Sequence, residues 1–360
     1  MKRLFLIFAA LLAIACPRAV ASGHDDAEQG PINPKEIIFE HLGDGYGWEV
    51  PFDHHHRIPL PCIVWGSDGL HVFSSARITG GGVYRDGDVE FKLGGKDSEY
   101  HGKIVEIGPD GKETRPFDLS VTKNVCALFI SVVAVVAVLM ALVRYYRRHA
   151  YRAPRKGLGF VELLIDFIYG SVIKSTLGKN ARRFAPYLLT AFFFIFAMNL
   201  FGLIVVFPGG ANLTGNIAIT LVLALLTFLV TNIFGNRHYW KEIFWPDVPL
   251  WLKFPLPIMP MIEIFGMFTK PAALTVRLFA NMMGGHMIVL VLTLLIFIFA
   301  AVSAVAGGVA TAVAMVFSVF MLLIDVLVSF IQAYVFTMLS TIFISLANEE
   351  PHHHEAKPVE

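Results

Sequence analysis

The sequence predicts an all-α polytopic membrane protein that carries a small β-rich exported domain at its N-terminal end. Of the 360 residues, 56% are hydrophobic and only 16% are charged, whereas soluble domains average about 45–50% apolar and about 25% charged residues. The apolar residues also concentrate in five long runs after a polar N-terminal segment. This composition excludes a soluble enzyme and a disordered chain. The formal net charge of +1 leaves no basic field for binding nucleic acid.

The first 22 residues predict a secretory signal peptide. After a basic start, the apolar stretch Leu4–Ala15 is too short to span a bilayer, and Ala19-Val20-Ala21 offers a small-x-small cleavage site. A lipoprotein signal ending at Cys16 is the alternative. Under both interpretations the segment that follows is exported.

Residues 23–120 form a polar segment that is rich in Gly, His and Asp. Short alternating apolar stretches interrupt it, at Ile58–Trp65, Leu70–Phe73, Val89–Leu93 and Ile104–Ile107. Such stretches between Gly, Asp and Pro clusters are typical of strands and turns. Because the core of this domain is thin, we expect it to rest on the membrane part or on a partner.

Residues 121–350 form the predicted membrane domain, whose five apolar runs predict five membrane-crossing helices. The runs are Val125–Val143, Tyr187–Phe207, Ile217–Phe234, Phe254–Val305 and Val309–Leu346. A span needs about 20 apolar residues, so the last two runs predict long, tilted helices. The stretch Phe160–Leu177 is apolar but interrupted by charges, which predicts an amphipathic interfacial helix at the inner surface.

The loops predict the orientation in a bacterial inner membrane. The first run is followed by a cluster of basic residues from Arg144 to Lys156, whereas the loop Pro208–Gly215 contains no Lys or Arg. By the positive-inside rule, the exported domain lies outside the cytoplasm and the tail 351–360 lies in the cytoplasm. The pair Gly307-Gly308 is the expected turn on the outside between the last two runs.

Polar side chains within the last two runs are the candidate functional residues, because a charge at mid-membrane costs about 2.5–3.5 kcal/mol and needs a partner or a water-filled path. The fourth run contains Glu263, Lys270, Arg277, Asn281 and His286, and the fifth contains Asp325, Ser329 and Gln332. The first three of these residues are seven positions apart, so they share one helix face. Both runs therefore carry a polar stripe.

Antiparallel packing of the two runs predicts which polar residues meet. Arg277 would lie level with Gln332, and His286 roughly level with Asp325, although the nine residues from Arg277 to His286 require a bend or a different face. His and Asp side chains can relay protons through a water-filled cleft. Arg277 cannot lose its proton, so it would block leakage and attract a carboxylate from another subunit.

The sequence around these residues resembles subunit a, the membrane stator subunit of the F-type ATP synthase. The similar motifs are Lys270-Pro-Ala-Ala-Leu-Thr-Val-Arg277-Leu-Phe-Ala-Asn281-Met-Met-Gly-Gly-His286 and Ile331-Gln332-Ala-Tyr-Val-Phe, followed by Leu346-Ala-Asn-Glu349-Glu350. The resemblance covers roughly residues 125–350. It implies an amphipathic second helix and two long tilted helices around a ring of c subunits.

The resemblance also implies roles for the polar residues. Arg277 matches the essential arginine that faces the c-ring, and Asn281 and Gln332 match its polar neighbours. Three further residues match positions of the proton path, namely Glu263, His286 and Asp325. The resemblance implies that they line one outer cleft.

The implied function is that of a stator with two offset proton half-channels that couple ion flow to rotation of the c-ring. ATP chemistry then lies on other subunits, and no cofactor or metal is expected. The implied partners are the c-ring, the subunit b peripheral stalk, other ATP synthase subunits and membrane lipids, with no nucleic acid.

Several of these residues also have plainer interpretations. His286 could be a hydrogen-bonded packing residue, Glu263 could lie in an interfacial segment, and Lys270 could pair with a lipid headgroup or an acid. Asn199 in the second run is interpreted as a helix-packing hydrogen bond. The runs His54–His56 and His352–His354 lack a second ligand cluster.

Two other function classes are weaker. A stand-alone proton-coupled transporter is expected to have broken helices in two matched halves, and the sequence lacks this pattern. A membrane enzyme is expected to carry a nucleophile or metal-binding motif such as HExxH or GxSxG, and the sequence contains neither.

Overall fold

The computed structural model describes residues 44–50, 53–79, 82–87, 89–95, 98, 100–108, 113–149, 152–154, 157–204, 213–244 and 258–348. The predicted signal peptide, the beginning of the fourth run at Phe254 and the tail with His352–His354 lie outside these residues, as do the side chains of His54–His56.

The N-terminal part is β-rich, as predicted. Its strands are β1 (Gly47–Val50), β2 (Asp53–Pro59), β3 (Pro61–Gly66), β4 (Gly69–Ser74), β5 (Tyr84–Asp86), β6 (Val89–Leu93), β7 (Ile104–Ile107), β8 (Glu113–Thr114) and β9 (Phe117–Asp118). They form three antiparallel sheets in the orders β1-β2, β4-β3-β9 and β5-β6-β7-β8. Alternate side chains of these strands build one small core from Tyr46, Cys62, Val64, Phe73, Ile78, Val89, Phe91 and Ile104.

Backbone hydrogen bonds tie this domain to the first membrane helix. The Val121 amide donates to the Pro61 carbonyl at 3.1 Å, and the Lys123 amide donates to the Gly45 carbonyl at 2.9 Å. The Thr122 side chain then caps the helix by accepting from the Val125 amide. Backbone hydrogen bonds therefore hold the connection between the β-rich domain and α1.

The rest of the described chain is helical. Its helices are α1 (Lys123–Arg148), α2 (Gly157–Phe167), α3 (Ala181–Leu203), α4 (Ile217–Ile233), α5 (Arg237–Phe244), α6 (Ile258–Val302) and α7 (Ala304–Ala347). Four helical stretches in the described residues are long and apolar enough to cross a membrane, namely Lys123–Arg148, Gly157–Leu203, Met259–Ala301 and Gly307–Ala347. The apolar α4 has 17 residues, or about 26 Å. Five crossings therefore stay a prediction, while the mostly helical, multi-pass character is confirmed.

Helix α3 is the centre of the helical part because it is buried on nearly every turn. Its buried side chains include Phe184, Leu188, Phe192, Ile195, Met198 and Asn199. It contacts both α1 and α7. Residues on α3 are thus in a position to reach the polar stripe of α7.

The predicted interfacial helix Phe160–Leu177 is present as α2 continued by a wide turn. Residues Ile168–Lys174 form a π-helix, and Gly178 with a φ of +52° ends the stretch before α3 begins. One stripe is buried, at Leu164, Ile168, Val172, Ile173 and Leu177. The exposed side carries Phe160, Leu163 and Phe167, so the interfacial position stays a prediction.

Helices α6 and α7 form a long antiparallel hairpin, and its turn differs from the prediction. The helices have 45 and 44 residues, and the break between them lies at Ser303 rather than at Gly307-Gly308. A Cβ atom on Gly307 would lie only 2.8 Å from the Cα of Ala300. Gly307 therefore serves close helix packing inside α7, which is why a glycine pair here does not mark the turn.

Candidate functional site

Polar side chains of α6 and α7 meet within the hairpin. The Asn281 Nδ2 group donates to Gln332 Oε1 at 2.7 Å, and Gln332 is buried. This bond fixes the register of the two helices at mid-length. The residue opposite Gln332 is Asn281, one turn beyond Arg277, so the expectation that Arg277 lies level with Gln332 is wrong by one turn.

The same register brings His286 and Asp325 together. Both line one small cavity, together with Asn281 and Gln332. The polar residues that line it are Asn199, Asn281, His286, Asp325, Ser329 and Gln332. At the floor of this first cavity, a Cβ atom on Gly285 would lie 2.7 Å from Asp325 Oδ1. The backbone of α6 therefore passes directly against the carboxylate.

A hydrogen-bonded chain leads away from this first cavity. Asn199 Nδ2 donates to the Ser329 carbonyl at 3.5 Å, and the Thr214 hydroxyl donates to Asn199 Oδ1 at 2.8 Å. Both Asn199 and Thr214 are almost fully buried. Asn199 makes the helix-packing bond that the sequence predicted and also lines the cavity, whereas Thr214, three residues before α4, was not predicted.

A second small cavity lies between α4, α5, α6 and α7. Its polar lining consists of Thr227, Thr231, Asn232, Tyr239 and Lys270. The Tyr239 hydroxyl donates to Asn232 Oδ1 at 3.3 Å, and Thr227 is within 3.4 Å of the Ser340 hydroxyl. The Lys270 ammonium lies 5.5 Å from the centre of the Phe343 ring. Sequence reasoning missed the threonines because single threonines in apolar helices are common.

Glu263 belongs to this second region and not to the first cavity. Burial raises the pKa of the Tyr239 phenol, and the nearby Glu263 carboxylate raises it further, which places Glu263 beside α5. Roughly 34 Å of helix separates Glu263 from His286. The expectation that Glu263 lines one cleft with His286 and Asp325 is not met in the first cavity, because Glu263 lies in the second turn of α6, whereas His286 lies past its middle and Asp325 lies on α7.

Arg277 lies on α6 between the two cavities. Leu274 lines the second cavity and Leu278 lines the first, and both leucines are buried while Arg277 is exposed. Among the residues that the structure describes, none forms an ion pair with Arg277. A permanent cation thus occupies the outer side of α6 at the boundary between two polar cavities.

The described residues contain no group of three or more His, Cys, Asp or Glu side chains that could hold a metal ion. The side chains that line the two cavities offer carboxylate, imidazole, amide and hydroxyl groups. Such groups can bind water and exchange protons.

Comparison with known proteins identifies the family of this chain. The family model described as ATP synthase A chain matches residues 127–345, and a model described as a domain of unknown function matches residues 37–123. An ATP synthase subunit a 2 of Chlorobaculum tepidum is 40% identical over 258 residues, covering 69% of each chain. An ATP synthase subunit a of Anaeromyxobacter dehalogenans is 39% identical over 342 residues, covering 92% of this chain and 74% of the relative. The chain therefore belongs to the ATP synthase A chain family.

Proposed function

We propose that this chain is the membrane stator subunit that couples proton flow to rotation of a c-ring through two offset half-channels. The observation that carries the proposal is the position of Arg277 between two separate polar cavities along one helix. A single continuous pore would not require a permanent cation between its two halves. An offset pathway needs one there, because the cation prevents protons from passing directly between the two halves.

The first cavity is the proposed outer half-channel. The imidazole of His286 and the carboxyl group of Asp325 are group types that can take up and release protons, and Asn199, Asn281 and Gln332 can hold water between them. A proton taken up here would pass to a carboxylate of a c subunit near Asn281. The neutralised carboxylate could then move into lipid, since protonation removes the cost of burying its charge.

The second cavity is the proposed inner half-channel. After nearly a full rotation, the carboxylate would meet Arg277 from the other side, where the cation favours its ionised form. The released proton would leave along Thr227, Thr231 and Tyr239 towards Glu263. A potential of 100 mV supplies about 2.3 kcal/mol for each charge that crosses.

The proposed location is a bacterial inner membrane. The β-rich domain lies outside the cytoplasm and the C-terminal tail lies in the cytoplasm. The partners we propose are the c-ring on the exposed side of Arg277 and the subunit b stalk, together with the remaining ATP synthase subunits. Catalysis of ATP synthesis is then assigned to those other subunits.

ATP-driven proton pumping in inverted membrane vesicles tests this function. We expect Arg277→Ala to abolish pumping while the complex still assembles, because the substitution removes an exposed side chain. The matched control is Arg182→Ala, which removes an exposed arginine from the first turn of α3 and should leave pumping intact. Normal pumping by an assembled Arg277→Ala complex would show that the stator proposal is wrong.

A further inference from the structure

The three-stranded sheet β4-β3-β9 carries large apolar side chains on both of its faces. Its inner face supplies Cys62, Val64 and Phe73 to the domain core. Its other face carries the side chains that alternate with these, and we call it the outer apolar face. Its members are Ile63, Trp65, Leu70, Val72, Phe117 and Leu119. An antiparallel sheet with one face in water normally has polar residues on that face.

The strand register makes the outer apolar face continuous. Trp65 lies opposite Leu70 on one side and Phe117 on the other. In the next row, Ile63 lies opposite Val72, and its carbonyl accepts from the Leu119 amide at 2.9 Å. Trp65 is 59% exposed and Phe117 is 68% exposed. Contiguous large apolar side chains on a surface mark an interaction site.

The outer apolar face lies close in the chain to the beginning of α1, and this position indicates what covers it. Leu119 precedes Lys123, the first residue of α1, by four positions, which limits their separation to about 14 Å. The hydrogen bonds from Val121 and Lys123 back to the domain hold this connection. Large exposed apolar side chains on α1 begin at Val125. The sheet is thus fastened to the end of a helix that is long and apolar enough to cross the membrane.

We propose that the outer apolar face rests on the lipid surface of the bilayer at the N-terminal end of α1. Tryptophan is enriched at the level of lipid headgroups, and apolar faces of interfacial segments bury themselves at the boundary between headgroups and acyl chains. The short, hydrogen-bonded connection keeps the face beside the bilayer whether or not another protein is present. This argument favours lipid over a protein partner. It does not depend on the proton path or on the orientation of α1.

Photocrosslinking in the assembled complex tests the proposal. The photoreactive residue p-benzoylphenylalanine is placed at position 117 or 65, one variant each, and the complex is reconstituted into vesicles of phosphatidylethanolamine and phosphatidylglycerol that carry a radiolabel. Both native residues are exposed aromatics, so the replacement keeps their character. The matched control places the same residue at position 85, because the Arg85 side chain is 74% exposed on β5, in a different sheet.

We expect light to attach radiolabelled phospholipid at positions 117 and 65 and not at position 85. Attachment of another subunit, or of this chain's own N-terminal residues, at positions 117 and 65 would overturn the proposal in favour of a protein-covered face. Absence of any adduct at both positions would also overturn it, since the face would then lie in water. Proton pumping by each variant is measured in the same vesicles. The crosslinking result of a variant is used only when its complex pumps protons.

Discussion

At the scale of single residues, Gly285 controls how closely α6 approaches the Asp325 carboxylate. A methyl group at this position would lie 2.7 Å from Oδ1, closer than carbon and oxygen atoms pack. We expect Gly285→Ala to displace the carboxylate and to slow proton pumping by about tenfold, which corresponds to about 1.4 kcal/mol in the barrier. The measurement is ATP-driven pumping by assembled complexes in inverted vesicles.

The adjacent glycine provides the control for this prediction. A Cβ atom on Gly284 would meet nothing within 4 Å, while the change in helix propensity is the same at both positions. Pumping should therefore be retained in Gly284→Ala. Equal losses in both variants would show that helix propensity, and not the distance to Asp325, determines the effect.

Cys62 illustrates how burial controls the reactivity of one side chain. It is fully buried in the core of the β-rich domain, and this burial raises the pKa of its thiol from 9.0 to about 11, with Asp118 adding to the increase. Since the thiolate is the reactive form, we expect Cys62 to resist iodoacetamide at pH 8 in the folded protein. Peptide mapping by mass spectrometry, with a denatured sample as the control, measures the modification. Rapid modification of Cys62 in the folded sample would contradict the burial.

The raised pKa also has a consequence for stability. The folded domain holds the thiol proton between pH 9 and pH 11, where the unfolded chain has lost it, so the free energy of unfolding falls as the pH rises through this range. The stabilisation is fully present below pH 9.

At the scale of elements, sequence patterns predicted β3, β4, β6, β7 and the long helices, because each depends on local alternation or on apolar length. The stretches Val89–Leu93 and Ile104–Ile107 were predicted from alternation and are strands with the same bounds. The turn between α6 and α7 was misplaced because the pair Gly307-Gly308 is a common breaker signal. Gly307 is used instead for close contact with Ala300 of the neighbouring helix, and a breaker signal does not reveal such a contact.

The hairpin turn yields a prediction about Gly307. Because a Cβ atom there would press against the backbone of Ala300 at 2.8 Å, Gly307→Ala should force the ends of α6 and α7 apart. Overpacking of this kind costs about 1–3 kcal/mol. We expect a lower yield of assembled complex and a lower unfolding temperature of the purified complex, measured by thermal denaturation in detergent.

Gly308 is the matched position for this test. A Cβ atom on Gly308 would meet nothing within 4 Å, so Gly308→Ala should leave assembly and unfolding temperature close to those of the unchanged protein. A loss of assembly in Gly308→Ala as large as that in Gly307→Ala would argue against close packing as the role of Gly307.

At the scale of the whole molecule, the sequence predicted the polar stripes but not the cavities that they form. Helix periodicity places Arg277, Asn281 and Gln332 on faces, yet the register between α6 and α7 depends on side-chain packing over the whole hairpin. The second cavity combines Thr227 and Tyr239 from elements that are separate in sequence, so no motif marks it. Glu263 was grouped with His286 because the resemblance assigns both to the proton path, although 23 positions of α6 separate them.

The two cavities yield the broadest prediction, because offset half-channels must open to opposite sides of the membrane. Met267 lines the second cavity and Met282 lines the first, about 22 Å apart on the same helix. Neither side chain exchanges protons, so replacement by cysteine should preserve pumping. In a background without Cys16, Cys62 and Cys126, we expect a membrane-impermeant thiol reagent to inhibit Met267→Cys only from the cytoplasmic side and Met282→Cys only from the other side. The parent without cysteines should be insensitive from both sides. Inhibition of both variants from one side would contradict offset half-channels and would favour a single cleft, since the exposed Arg277 would then separate nothing.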